Sequence, residues 1–356
     1  MRIAVDVMGG DHAPDAILKG CVASLEDLGQ EDRLILVGPR ELIQDYLTDR
    51  AVRDERIEIE HAPDVITMEE SPAKAVRSKK DSSIVKMALL GSEKAPESGP
   101  GARADVVLSA GNTGACVSAG IMHMKRLPKV HRPGIAVTVP AFKGPVVMID
   151  CGANPEPKPT HLWQYGVMAA ELARIVHGIE NPRVAQMNIG SEEAKGTDTV
   201  KQTRDLLRAT PGLNYVGYVE GRDLFDGNAD VIVTDGFVGN TLLKMAEGLA
   251  KSIFSALATE IMTQDPGLML QIEPVFKQIW KKNDYHEHGG APLLGVNGAM
   301  FIAHGSSEAK TIKNAIRNCR RFVSSGVNQV IARRLEEVSF VAANLTEAGA
   351  ESGSVA

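Results

Sequence analysis

The chain has 356 residues, 44% hydrophobic and 24% charged, which excludes the disordered and membrane-embedded classes and allows one large α/β unit or two lobes. Its formal net charge is -6, no dense Lys/Arg block stands out and aromatics are only 4%, so nucleic acid is not an expected partner. Cys21, Cys116, Cys151 and Cys319 form no CxxC pair, which argues against a structural zinc site and for a reducing compartment.

The chain opens on an apolar strand over 2–7, without a signal-peptide core, and a helix over 16–28 follows, with Pro14 placed for its first turn. Residues 34–37 predict a second strand, 41–47 a helix and the alternation at 57–60 a third strand. Residues 73–90 read as helix broken near Lys80, and 91–103, rich in Gly, Pro, Ser and Glu, as an exposed loop. A strand at 104–108 leads through a Gly-rich turn into a helix ending about Met124, and 135–139 and 145–149 read as paired strands. An amphipathic helix covers 161–177, then a strand at 184–187, a helix about 198–208, and strands at 215–219 and 231–233. Long helices over 238–262 and 268–281, a strand at 300–303 and a closing helix over 308–324 complete the chain. No run reaches the roughly 18–20 apolar residues of a membrane span, so a cytoplasmic protein is expected.

Strands alternating with helices predict an α/β fold, a mainly parallel sheet with flanking helices. The expected layout is one catalytic unit over 1–340, with a helical hairpin about 238–282, and a disordered tail over 341–356. Ligands in such sheets sit beyond the C-terminal strand ends, where glycine admits close backbone approach and helix N-termini favour anions. Six Gly-rich polar loops occupy such places. Their candidate binding residues are Gly9, Gly10 and Asp11; Asn112, Thr113 and Gly114; Asp150 and Asn154; Asn188 and Gly190; Asp235, Gly236 and Gly239; and Ser306. One such loop is ordinary turn chemistry; six together favour a phosphate or carboxylate site.

Candidate catalytic residues are His12, Lys195, Asn240, Lys244 and His304. Lys195 follows two acids and can equally form a surface ion pair. Lys244 lies one helical turn after Asn240, so both can face one ligand. His12 and His304 have the chemistry of proton donors, although a loop histidine is more often a hydrogen-bonding spacer. P-loop, GxGxxG, GxSxG and HExxH patterns are absent. His286, Glu287 and His288 could form a metal trio, but a solvated loop before Gly289 is the favoured reading, and no metal is assigned. Met245, Leu249, Ile253, Leu257 and Ile261 repeat every fourth residue, an apolar face suited to a core, a dimer, a bilayer or an acyl chain.

The segments 6–14, 109–115, 150–154, 234–240, 289–298 and 304–307 together resemble the ordered signatures of PlsX-type phosphate acyltransferases, from residue 1 to about 330. Cys151 stands where that family often has an aliphatic residue; the 91–103 loop looks longer than usual, and the tail after about Val338 has no counterpart there. The resemblance implies a fold similar to phosphotransacetylases and isocitrate/isopropylmalate dehydrogenases, usually as a homodimer. It implies reversible transfer of a long acyl chain from acyl carrier protein to inorganic phosphate, with no cofactor. The acyl phosphate would feed a membrane-bound glycerol-phosphate acyltransferase, with peripheral membrane contact through the 238–282 hairpin. On that reading residues 112–114 and 235–240 cradle phosphate with Lys195 or Lys244 as cation, and Asn154 and Asn188 orient the acyl group. His12 or His304 protonates the thiolate; the sequence leaves that choice open. The rival readings are a metal- and nicotinamide-dependent oxidative decarboxylase and a membrane-surface scaffold.

Overall fold

The computed structural model describes residues 1–99, 101–141, 143–283 and 289–342. In chain order the first half holds β1 (Arg2–Asp6), α1 (Asp15–Ser24), β2 (Arg33–Gly38), α2 (Arg40–Asp49), β3 (Ile57–His61), α3 (Pro72–Ser78), α4 (Ser83–Leu90), β4 (Val106–Ser109) and α5 (Thr113–Ala119). Next come β5 (Gly134–Ala141), β6 (Gly144–Ile149), α6 (Pro159–Val176), β7 (Arg183–Met187), α7 (Asp198–Ala209), β8 (Asn214–Val219) and β9 (Val231–Val233). The chain finishes with α8 (Gly236–Gln264), α9 (Pro266–Asn283), β10 (Ala291–Leu294), β11 (Ala299–Ile302), α10 (Ala309–Ser325) and α11 (Val327–Glu337).

All eleven strands join one sheet in the order β3-β2-β1-β4-β11-β10-β5-β6-β9-β7-β8. The central strands β1, β4 and β9 are apolar and buried along almost their whole length, as strands covered on both faces must be. One face packs against α1, α6, α10 and α11 through residues such as Leu18, Trp163, Ile316 and Ile331. The other packs against α3, α4 and α5 through Val76, Met87 and Cys116. In α10, Ile312, Ala315, Ile316, Cys319 and Phe322 recur at helical spacing and are buried. Gly326, at φ 66°, ends that helix in the left-handed conformation that glycine accepts most readily.

The pairings from β3 through to β11 are parallel, and so are those from β6 to β8. Between these blocks, β11–β10, β10–β5 and β5–β6 are antiparallel. Three reversals make the second block run opposite to the first. Sequence periodicity carries no strand direction, so this reversal was not anticipated.

Several local expectations differ from the structure. The first helix ends at Ser24 and tightens into a 3-10 turn over Leu25–Asp27. Strand β10 is not among the expected elements; its four-residue run contains Pro292. Helix α11 lies beyond the closing helix expected over 308–324 and is not among the expected elements. Val341 is buried in the core, so the packed chain runs past residue 340. Residues 343–356 and the His286, Glu287 and His288 trio lie outside the described residues. No helix among the described residues is long and apolar enough to cross a membrane.

Candidate active site

The reversal sorts the six loops into two groups. The loops after β1, β4 and β11 emerge from the C-terminal ends of one parallel block, and those after β6, β7 and β9 from the other.

The first group is built around Asp6, a fully buried carboxylate at the end of β1. It accepts hydrogen bonds from Ser109 Oγ at 2.7 Å and the Met8 N–H at 3.0 Å, and Ser109 Oγ accepts one from the Gly111 N–H at 3.0 Å. Burial holds the Asp6 pKa above the ordinary carboxylate range against the lowering effect of these bonds. A Cβ at Gly9 would lie 2.6 Å from both Asp6 Oδ2 and Gly111 N, so the two loop backbones touch and only glycine fits. The third loop joins through the Asp11 N–H, which donates to the Gly305 carbonyl at 2.7 Å. Asp11, His12 and His304 are exposed. Ser306 holds the His304 ring at Nδ1, with its Oγ at 2.7 Å and its N–H donating at 3.3 Å.

Asn112 is a clamp more than an open ligand. It is 7% exposed and caps α5 by accepting from the Ala115 N–H at 3.0 Å. Its amide donates to the carbonyls of Thr67, Met68 and Glu70 at 3.1, 3.2 and 3.2 Å. Thr113 and Gly114, half-buried beside it, are more accessible.

The second group centres on Asp150, also fully buried. Its carboxylate accepts from the backbone N–H groups of Ile135 (2.9 Å), Ala153 (3.1 Å) and Asn154 (2.6 Å). Asp150 was expected to bind substrate; in the structure it braces the loop from inside. Burial pushes its pKa up to about 6, although these donors favour the charged form. Asn154 is likewise engaged, its amide donating to the Pro133 carbonyl and Tyr165 Oη, both at 2.7 Å.

Helix α8 begins against this loop. Asp235 caps it by accepting from the Val238 N–H at 2.8 Å, and the Gly236 N–H donates to the Asn154 carbonyl at 2.8 Å. A Cβ at Gly236 would meet Asn154 backbone at 2.8 Å, and one at Gly239 would lie 2.0 Å from the Asp150 carbonyl. The first turn of a 29-residue helix is therefore pressed onto the β6 loop, with exposed Asn240 facing Gly152. Lys244 follows one turn later, exposed and, among the described residues, without an ion-pair partner. Lys195 lies over Gly190 but pairs with Glu192 at 2.8 Å. Asn188 donates to the Lys195 carbonyl at 3.3 Å and so holds its own loop closed.

The structure thus gathers Gly9, Gly10, Asp11, His12, Asn112, Thr113, Gly114, His304 and Ser306 in one group. Asp150, Asn154, Asn188, Gly190, Lys195, Asp235, Gly236, Gly239, Asn240 and Lys244 make up the other. Asp6, Ser109 and Tyr165 were not singled out from the sequence, although Asp6 heads the first signature loop and could have been. Among the described residues no three His, Cys, Asp or Glu side chains are grouped to hold a metal ion.

The profile of the family described as fatty acid synthesis protein matches residues 1–330. The chain belongs to that family. The phosphate acyltransferase of Dictyoglomus turgidum is 42% identical over 342 residues, 95% of this chain and 99% of that protein. Its namesake from Desulfitobacterium hafniense is 45% identical over 338 residues, 94% and 98% of the two chains. Such identity over nearly the full length makes this family member an acyltransferase. Among solved structures, a phosphotransacetylase from Streptococcus pyogenes superposes with a TM-score of 0.57 at 18% identity, covering 94% of each chain. EutD phosphotransacetylase from Staphylococcus aureus gives 0.55 at 15% identity, again covering 94% of each chain. These two likenesses establish the shared fold of the family member, a large mainly parallel sheet with flanking helices.

Proposed function

We propose that the chain moves a long fatty acyl group from acyl carrier protein to inorganic phosphate, giving an acyl phosphate for phospholipid synthesis. A phosphate oxygen attacks the thioester carbonyl carbon, the C–S bond breaks, and the carrier thiolate takes a proton. Phosphate near neutral pH is already nucleophilic, so the protein's task is to desolvate it, aim it and stabilise the tetrahedral oxyanion. Each well-placed N–H donor is worth about 3–4 kcal/mol in such a step.

The observation that carries this reading is the seating of α8. Its first turn is fixed by contacts that only Gly236 and Gly239 allow, and the positive end of a long helix suits a dianion. Asn240 and Lys244 lie one turn apart there, and we assign phosphate to them and to residues 235–240. Lys195, already paired with Glu192, is the weaker cation. Thr113 and Gly114, with Gly9 and Gly10, complete the cradle from the first group. On this reading the two groups form the opposite walls of one cleft. Asn154 and Asn188 orient the acyl side through the loops they brace. His304, its ring held by Ser306, or His12, protonates the leaving thiolate.

The apolar stripe of α8, with Met245 60% and Leu249 57% exposed, is assigned to a homodimer contact and to a membrane surface that hands product to a glycerol-phosphate acyltransferase. The test is to incubate the protein with palmitoyl-acyl carrier protein, with and without phosphate, and follow free thiol. Phosphate-dependent release with a hydroxylamine-sensitive product is expected. Release that is equally fast without phosphate would refute the reading.

A further inference from the structure

A protein of net charge -6 carries one concentrated basic surface. Lys125, Arg126, Lys129, His131 and Arg132 fall within eight residues of the segment between α5 and β5, and all are exposed. The fold adds exposed Lys158 and half-buried His161 from the start of α6. The segment is fixed to that helix: Gln164 accepts from the His131 N–H at 2.9 Å and donates to the Lys129 carbonyl at 2.8 Å. The His131 and His161 rings meet edge to face, with centroids 6.0 Å apart. Burial first, and then the neighbouring His131, Arg132, Lys158 and Arg126 charges, push the His161 pKa down to about 4.

Among the described residues, no acid stands within ion-pairing distance of Lys125, Arg126, Lys129, Arg132 or Lys158. Glu156 is the one exposed acid in the adjoining segment between β6 and α6. Structural cations in this protein are paired: Arg174 with Glu171, Arg183 with Asp230, Arg208 with Glu193. The Arg126 guanidinium donates to the His131 carbonyl, but none of the five is neutralised by an acid among the described residues, and together they raise the local potential. It also borders the second loop group, because Asn154 donates to the carbonyl of Pro133, the residue after Arg132.

We propose that this patch docks an acidic face of the protein that carries the acyl thioester, placing the thioester beside the α8 loop. The inference rests on the reading under Proposed function. Charges at the rim of an interface act mainly on encounter rate and are screened by salt. The expected signature is therefore a KM effect confined to the protein-borne donor.

The test combines Lys129→Glu, Arg132→Glu and Lys158→Glu, none of which belongs to the catalytic machinery. Turnover is measured with acyl-acyl carrier protein and with the same acyl group on neutral N-acetylcysteamine. The triple variant is expected to raise KM for the protein-borne donor about tenfold or more at low salt, and wild type to approach it as salt rises. Turnover of the small thioester should be unchanged, which also reports intact folding. An unchanged KM for the protein-borne donor overturns the proposal. So does lost binding to phosphatidylglycerol vesicles with KM unchanged, which would make the patch a membrane contact. Wild type that uses neither donor overturns the underlying reading and this inference with it.

Discussion

One methyl group at Gly239 tests whether the seating of α8 matters. In Gly239→Ala the new Cβ would lie 2.0 Å from the Asp150 carbonyl oxygen and 3.0 Å from Thr234 Cγ2. Ordinary contact begins near 3.4 Å, so relief needs a displacement of 3.4 − 2.0, or 1.4 Å. The Asp150 backbone cannot easily retreat, because its N–H donates to the Thr234 carbonyl at 3.0 Å and the Thr234 N–H to the Ile149 carbonyl at 2.7 Å. The helix must move instead, and Asn240 and Lys244 with it. Overpacking of this kind costs about 1–3 kcal/mol of stability. A misplacement of about 1 Å at reacting groups lowers turnover by about a hundredfold. The assay is phosphate-dependent thiol release beside a thermal melt. Gly248→Ala is the control, since it sits in the same helix with nothing within 4 Å of its Cβ. It should stabilise by up to about 1 kcal/mol and leave turnover intact. Full activity in Gly239→Ala, with an unchanged melting temperature, would refute the argument.

Other substitutions separate the remaining roles. Lys244→Ala should raise KM for phosphate by about tenfold or more, since a charged hydrogen bond is worth about 1.5–3 kcal/mol; Lys195→Ala, which loses only an exposed pair with Glu192, should change it little. Steady-state kinetics at varied phosphate distinguishes the two. Asn112→Ala removes a helix cap and the amide that bridges the carbonyls of Thr67, Met68 and Glu70, so denaturant melts should show a loss of about 1–3 kcal/mol. Hydrogen exchange at residues 67–70 should rise with it. Asp150 has a folded pKa of about 6 against an ordinary 3.8, so the folded state binds the extra proton between those values. Its contribution is fully present below about pH 4 and is lost as pH rises through 6, a fall on the order of 3 kcal/mol. Melts of wild type and Asp150→Asn across that range should converge at the acid end and diverge above it.

Most elements were legible because their chemistry is periodic. The apolar runs at β1, β2 and β9 and the four-residue repeat in α8 announce themselves without tertiary information. What pairs with what does not. A run such as β10 reads the same whether parallel, antiparallel or loop, and the direction reversal that divides the site depends on it. The Gly-rich loops were recognisable as loops, but their polar residues could not be ranked. Asp150 and Asn112 proved to be braces, because whether a carboxylate meets solvent or three backbone N–H groups is decided by distant residues such as Ile135. The same holds for the two lysines: Glu192 was visible three residues before Lys195, whereas the lack of an ion-pair partner for Lys244 among the described residues appears only in three dimensions. The basic patch escaped notice because Leu, Pro and Val dilute its cations along the chain, and Lys158 joins them only on folding.

Strand β11 has a consequence for how the protein is made. It fills the gap between β4 and β10, and its Ala299 pairs with Val106, 193 positions earlier. On a ribosome adding about 5–20 residues per second, β4 waits some 10–40 s for its neighbour. Throughout that time an apolar strand edge stands open to any other nascent chain. A premature stop anywhere before β11 leaves the same edge permanently bare. Truncated products should therefore accumulate in inclusion bodies or with chaperones, while the finished chain, zipped through its middle last, stays dispersed.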